Sequence, residues 1–159
     1  MKPIILMTSV VAVLVLGGAG AVVWRGGAAE PAPRQMLRWQ DPEVVERGAG
    51  IYAAECAACH GADLEGQPRW QVRLPNGRLP APPHDETGHT WHHPDAMLFA
   101  ITKHGTETVV GGDYESDMIG FGDRLSDEEI IAVLSYIKST WPEDVRAIHD
   151  EINARAAQE

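Results

Sequence analysis

The sequence Cys56-Ala57-Ala58-Cys59-His60 decides the fold of this 159-residue chain, and it contains both of the chain's cysteines. Two thiols about one helical turn apart can add to the two vinyl groups of one porphyrin. The histidine that follows is carried beneath the iron, where an imidazole nitrogen is an ordinary proximal ligand. The stretch therefore predicts one covalently attached haem c, held by Cys56, Cys59 and His60.

Two other kinds of site use a pair of cysteines at this spacing. A zinc site would need a second pair of ligands at a matching spacing, and the chain has no further cysteine. A thioredoxin-like redox disulfide would need βαβ patterning around the motif, whereas the residues that follow are rich in Pro, Gly and His. The sequence therefore supports a zinc site or a redox disulfide less well than it supports a covalent haem.

A haem iron in an electron carrier needs a second strong axial ligand, and a thioether in that position raises the reduction potential. Met118 is the candidate, because it lies in a glycine-flanked loop that runs from Asp117 to Gly122, just before a strong helix. The other four methionines have other predicted places. Met1 and Met7 belong to the leading apolar segment and Met36 to a linker, and Met97 shares helical spacing with Leu98 and Ile101, so it is predicted to pack in the protein core.

Several stretches together resemble class I (monohaem) cytochromes c. They are Glu46-Arg47-Gly48-Ala49-Gly50-Ile51-Tyr52, the Cys56–His60 motif, the Met118 loop, Leu125-Ser126-Asp127-Glu128-Glu129-Ile130 and Tyr136-Ile137-Lys138. The middle of the chain is unmatched. The loop also departs from the family, which usually has Met-Pro-x-Phe, because Ile119 stands at the proline position.

The resemblance implies an all-α, cytochrome c-like helical domain around the covalent haem. It implies that Pro82 or Pro83 accepts a hydrogen bond from the free nitrogen of His60, as partners of axial ligands do. It also implies a crossing between the first and last helices of the domain, with Gly48 and Tyr52 facing Val133 and Tyr136.

Local signals place the helices. A first helix is capped by Asp41 and begins at Pro42, and a later one is predicted from Pro94 to His104. The stretch from Gly105 to Gly122 is predicted as a loop. Ser126 and Glu129 form a capping box that opens the last strong helix. Residues Glu143 to Glu159 are predicted as a further helix with Val145, Ile148 and Ile152 on one side. We expect it to pack on the domain, with a partner-binding appendage as the alternative.

Four regions follow: residues 1–25 as a signal anchor, 26–40 as a linker, 41–141 as the cytochrome c domain and 142–159 as a C-terminal helical extension. The uncharged run from Ile4 to Trp24 is long enough for a transmembrane helix that spans roughly 30 Å of hydrocarbon. A cleaved secretory signal is the alternative, since Ala19-Gly20-Ala21 would suit processing. The resemblance implies that haem is attached on the periplasmic side, so we expect the domain on that side of the inner membrane.

The middle of the chain is rich in histidine. One interpretation is a second metal site for copper or zinc, and another is that these side chains bind haem propionates, cap a helix or face water. A histidine could also replace Met118 as the sixth ligand. The residues concerned are His84, His89, His92 and His93, followed by His104.

The chain is acidic, with a net charge of −10, which disfavours binding to nucleic acid. Four acids surround the candidate ligand and predict a redox partner with a basic docking surface; they are Asp113, Glu115, Asp117 and Asp123. The sequence therefore predicts a membrane-anchored one-electron carrier that is not itself an enzyme. The alternatives are a permanent subunit of a membrane oxidoreductase or oxidase, and a haem protein whose sixth position is open or held by a histidine.

Overall fold

The structure is a computed structural model that describes residues 36–158. The predicted membrane anchor and most of the predicted linker lie outside these residues. Within them, no helix is long and apolar enough to cross a membrane. The described helices are α1 (Pro42–Ile51), α2 (Ala57–His60), α3 (Asp95–His104), α4 (Thr106–Val110), α5 (Asp127–Thr140) and α6 (Glu143–Ala156).

A π-helical turn, Tyr52–Cys56, joins α1 to α2, and a 3-10 turn, Thr90–His92, precedes α3. Between residues 36 and 158 the structure has no strand, and one isolated antiparallel bridge pairs Gly105 with Ile119. The prediction of a mostly helical domain is confirmed for this part of the chain.

α1 begins where the sequence signals place it. The Asp41 carboxylate accepts hydrogen bonds from the backbone N–H groups of Glu43 and Val44. Further along, α1 crosses α5 at Gly48, where an added Cβ would lie 2.8 Å from Cβ of Tyr136 and 2.6 Å from the carbonyl carbon of Ala132. The predicted helix crossing is therefore correct, and only glycine fits at its centre.

α5 is the central element of the core. Ser126 and Glu129 form the predicted capping box at its start. Its inner face is almost fully buried, and residues from both ends of the domain pack against it. The core cluster consists of Leu37, Tyr52, Leu64, Leu98, Ile130, Val133, Leu134, Ile137 and Trp141.

Three expectations for the region around α3 differ from the structure. α3 begins at Asp95 with Pro94 as its N-cap, and Met97 is 42% exposed, because the helix buries Asp95, Leu98 and Thr102 instead. The predicted loop after α3 contains α4, whose Thr106–Val110 sequence is rich in β-branched residues with low helix propensity.

α6 packs on the domain, as predicted, but through polar groups. His149 is fully buried against the Trp141 ring, and Asn153 donates to the Asp95 carboxylate at 3.0 Å. The Lys138 ammonium, also fully buried, pairs with Asp150. The predicted apolar face is less important, since Ile148 is 43% exposed.

The end of the predicted linker is also part of the packed domain. Leu37 is 2% exposed, and its N–H donates to the Asp95 carboxylate at 3.2 Å. The N–H of Arg38 donates to the Ser135 hydroxyl at 2.8 Å. The chain is therefore fixed to α3 and α5 before α1 begins.

Candidate haem site

The two cysteines and His60 lie on one continuous helical segment. The π-helical turn that ends at Cys56 inserts an extra residue before α2, and such turns are often found at functional sites. Both cysteines are free thiols; Cys56 is half-buried and Cys59 is exposed. Burial and the neighbouring Glu55 together raise the pKa of Cys56 to about 11, with Arg124 opposing part of the shift, so this side chain is a neutral thiol at neutral pH.

The His60 imidazole is held at one edge. Its side chain is buried, with 6% exposure, and Nδ1 donates to the Pro82 carbonyl oxygen at 2.9 Å. Of the two prolines expected to accept this bond, Pro82 is the acceptor. Burial lowers the pKa of His60 and the hydrogen bond to Pro82 opposes that shift, so the ring is neutral with Nε2 left to bind a metal.

The chain that follows α2 folds back so that Pro82 can reach His60. The N–H of Gly66 donates to the His60 carbonyl at 2.8 Å, and the N–H of Gln67 donates to the Ala81 carbonyl at 2.8 Å. Gly66 has φ +67°, and a Cβ there would lie 2.6 Å from the carbonyl carbon of Pro82. Any other residue at position 66 would push the Pro82 carbonyl away from the imidazole.

Met118 comes from a different part of the chain, and its segment is tied to the end of α3. The Met118 carbonyl accepts from the N–H of Thr106 at 3.1 Å, and Phe121 N–H donates to the Thr102 carbonyl at 2.9 Å. The N–H of Met118 donates to the Ser116 hydroxyl at 3.1 Å. Met118 is half-buried, and between residues 36 and 158 no hydrogen bond or ring contact joins it to the Cys56–His60 segment.

An arginine that sequence reasoning missed links the Met118 loop to the loop after α2. The Arg78 guanidinium pairs with Asp117, and its Nε lies 3.7 Å from the Glu115 carboxylate. Hydrogen bonding to Asp117 raises the pKa of Arg78, so the cation is permanent. Two of the four acids around Met118 are thereby partly neutralised, and Asp113 and Asp123 form no ion pair within the described part of the chain.

The histidines of the middle region do not form a metal site. Among residues 36–158 no group of three or more His, Cys, Asp or Glu side chains could hold a metal ion. The rings contact other rings instead: His84 stacks on His60, His89 on Trp70, and His92 lies against Trp91. The interpretation as a copper or zinc site is therefore wrong for these residues, since even His89 and His93, whose rings contact each other, have no third ligand beside them in the described part of the chain.

The fold and site define a small helical domain built around a buried histidine and two adjacent thiols. Comparison with known families identifies the class, since the pattern of the family described as Cytochrome c matches residues 45–141. The chain belongs to the cytochrome c family. Its covalently bound cofactor is therefore haem c, and its function is haem-based electron transfer.

Two curated relatives are also similar. The cytochrome c subunit of gluconate 2-dehydrogenase from Pantoea cypripedii is 28% identical over 103 residues, which cover 64% of this chain and 22% of that protein. Thiosulfate dehydrogenase from Stutzerimonas stutzeri (strain A1501) is 30% identical over 109 residues, which cover 68% of this chain and 31% of that protein. The chain thus spans less than a third of either relative, and no solved structure matches it.

The residues present fit a covalent haem. Two unpaired thiols stand one helical turn apart, and the imidazole beside them has one nitrogen fixed and the other available. The haem, when bound, would supply one-electron redox chemistry, because its iron can take up and release a single electron. The protein supplies the anchoring thiols and the fixed imidazole.

Proposed function

We propose that this chain is a monohaem class I cytochrome c and a one-electron carrier that performs no chemistry on a substrate. Cys56 and Cys59 hold the porphyrin, and His60 and Met118 ligate the iron. The observation that carries this proposal is the buried His60 imidazole with Nδ1 bound to Pro82 and Nε2 available. The anchoring of the Met118 segment on α3 supports the second ligand.

The ligation is tested by the absorption spectra of the purified holoprotein, oxidised and reduced. We expect the weak far-red charge-transfer band of an iron–methionine bond, and its loss in Met118→Ala. Met97→Ala is the matched control, because Met97 is the other methionine of this half of the domain and is 42% exposed. A band that survives Met118→Ala would refute the assignment, and carbon monoxide binding by the reduced wild-type protein would show an open sixth position.

Covalent attachment has its own test. Cys56→Ser and Cys59→Ser should each leave a single thioether, and the double variant should leave none. A haem stain on denaturing gels should then be lost only in the double variant. Haem that stays with the double variant after denaturation would show that another residue is the attachment point.

We further propose that residues 1–25 anchor the domain to the inner membrane with the haem on the periplasmic side. Support comes from the uncharged run between Ile4 and Trp24. The test is fractionation of the full chain in a host that matures c-type cytochromes. The anchored protein should stay with membranes after carbonate washing, whereas a cleaved signal would leave the haem protein in the periplasmic extract.

A permanent subunit of a dehydrogenase is the second candidate, and the relative named as the cytochrome c subunit of gluconate 2-dehydrogenase favours it. A subunit should co-purify with a larger catalytic partner in mild detergent, whereas a free carrier should purify alone. Solubilised membranes separated by size, with haem absorbance followed through the column, distinguish the two. Elution at the size of the single chain would exclude the complex.

The partner surface that we propose is acidic and surrounds Met118. Asp113 and Asp123 supply its unpaired charges, whereas Asp117 is paired with Arg78, so a substitution at Asp117 would also disturb the loop. Asp123→Lys should slow reduction by a basic partner and weaken its salt dependence. Glu46→Lys makes the same charge change on the exposed side of α1, and an equal effect there would point to net charge alone.

A further inference from the structure

The side chain of His84 lies directly against the ring of His60. The two imidazole centroids are 3.9 Å apart and the rings are 21° from parallel, which is a stacked pair. His60 is thereby confined twice, at its Nδ1 edge by the Pro82 carbonyl and across one face by a second ring. The hydrogen bond alone would leave the imidazole plane free to tilt about the Nδ1–O direction.

His84 can act in this way because its own position is fixed on all sides. Its N–H donates to the Leu64 carbonyl at 2.8 Å, and its carbonyl accepts from Trp141 Nε1 at 2.7 Å. Its ring Nδ1 is hydrogen-bonded with the Thr90 hydroxyl at 2.8 Å, and the Tyr52 ring makes an edge contact with it, with the two ring centroids 6.2 Å apart. The ring therefore presents a rigid face to His60.

We propose that His84 is a positioning residue that sets the plane of the His60 imidazole about the iron–nitrogen bond. The proposal rests on His60 being an axial ligand, as proposed above. A fixed ligand plane reduces the structural change that accompanies each gain or loss of an electron.

The test compares two apolar replacements in the oxidised holoprotein. His84→Phe keeps a flat ring against His60, and His84→Leu fills the space without a flat face. The readout is the low-spin electron paramagnetic resonance signal, whose largest g value depends on the orientation of the axial ligands. We expect His84→Leu to shift and broaden that signal and to slow electron self-exchange, while His84→Phe stays close to the wild type.

His104→Leu is the matched control, because it makes the same change at an exposed histidine, and it should leave the signal unchanged. Equal signals in His84→Leu and His84→Phe, shifted or not, would overturn the proposal, since the flat face would then have no effect. A wild-type protein without the low-spin signal of a His60 and Met118 ligand pair would overturn the ligation itself. That failure is visible before any His84 variant is made.

Discussion

Gly48→Ala should destabilise the domain, although alanine is the better helix former. A Cβ at position 48 would lie 2.6 Å from the carbonyl carbon of Ala132 and 2.8 Å from Cβ of Tyr136. Carbon atoms in contact normally stand about 3.5–4.0 Å apart, so α1 and α5 would have to separate by about 1 Å. The atoms involved cannot rotate away, because they belong to the backbone and to the first side-chain carbon.

The magnitude follows from two opposing effects. Overpacking a fitted core costs about 1–3 kcal/mol, and the rigid contacts at Gly48 place this case at the upper end. Replacing glycine by alanine in a helix returns about 1 kcal/mol. The free energy of unfolding should therefore fall by about 2 kcal/mol, which corresponds to about 8 °C in the midpoint of thermal unfolding for a domain of this size.

The assay is thermal unfolding of the oxidised holoprotein, followed by far-ultraviolet circular dichroism. Gly50→Ala is the matched control in the same helix, since a Cβ there has nothing within 4 Å. It should raise the free energy of unfolding by up to about 1 kcal/mol. If Gly48→Ala proved as stable as Gly50→Ala, the argument that close packing of α1 on α5 requires glycine would be wrong.

The remaining predictions concern helix ends and buried charges, and the same melts measure them. Ser126→Ala removes the capping box of α5 and should lower the free energy of unfolding by about 1 kcal/mol. Ser126→Thr should keep most of that stabilisation, because threonine can also cap the helix. Asp150→Ala should destabilise more than Lys138→Met, because it leaves a fully buried ammonium without its partner. Burial, assisted by Lys138 and opposed by Asp95, lowers the pKa of His149, so the folded protein binds fewer protons than the unfolded one below pH about 6.5. The free energy of unfolding should therefore decrease as the pH is lowered from about 6.5 toward that pKa, and His149→Gln should remove part of this decrease. Identical pH profiles for the wild type and His149→Gln would contradict the prediction.

Local signals in the sequence were reliable wherever neighbours along the chain decide the structure. Asp41 and Pro42 start α1 and the Ser126 capping box starts α5, because each N-cap is satisfied within three residues. The acceptor for His60 is a different case, because it lies 22 residues away and the family resemblance, not a local signal, limited it to two adjacent prolines, of which Pro82 is the one. Short-range hydrogen bonding leaves a sequence pattern that can be recognised.

Contacts between distant residues left no such pattern. His149 is buried by Asn153 and by Asp95, which lies more than fifty residues away, so its place in a helix otherwise read as apolar could not be foreseen. The ion pair of Arg78 with Asp117 joins two loops of polar composition, where any charge could equally have faced water. The Met97 prediction failed for a related reason, since apolar spacing does not say which side of α3 the core covers.

The two candidate iron ligands are held with unequal security. His60 is buried, and both its hydrogen-bond acceptor and its stacked neighbour are fixed by the core through Gly66 and Trp141. Met118 is held by backbone bonds to the end of α3 and by an ion pair of Arg78 whose partners are partly exposed. Exposed ion pairs contribute little, and segments with few buried contacts open first. Heating or high salt should therefore release Met118 from the iron before it disturbs His60, so the potential of the carrier depends most on the stability of the Met118 loop.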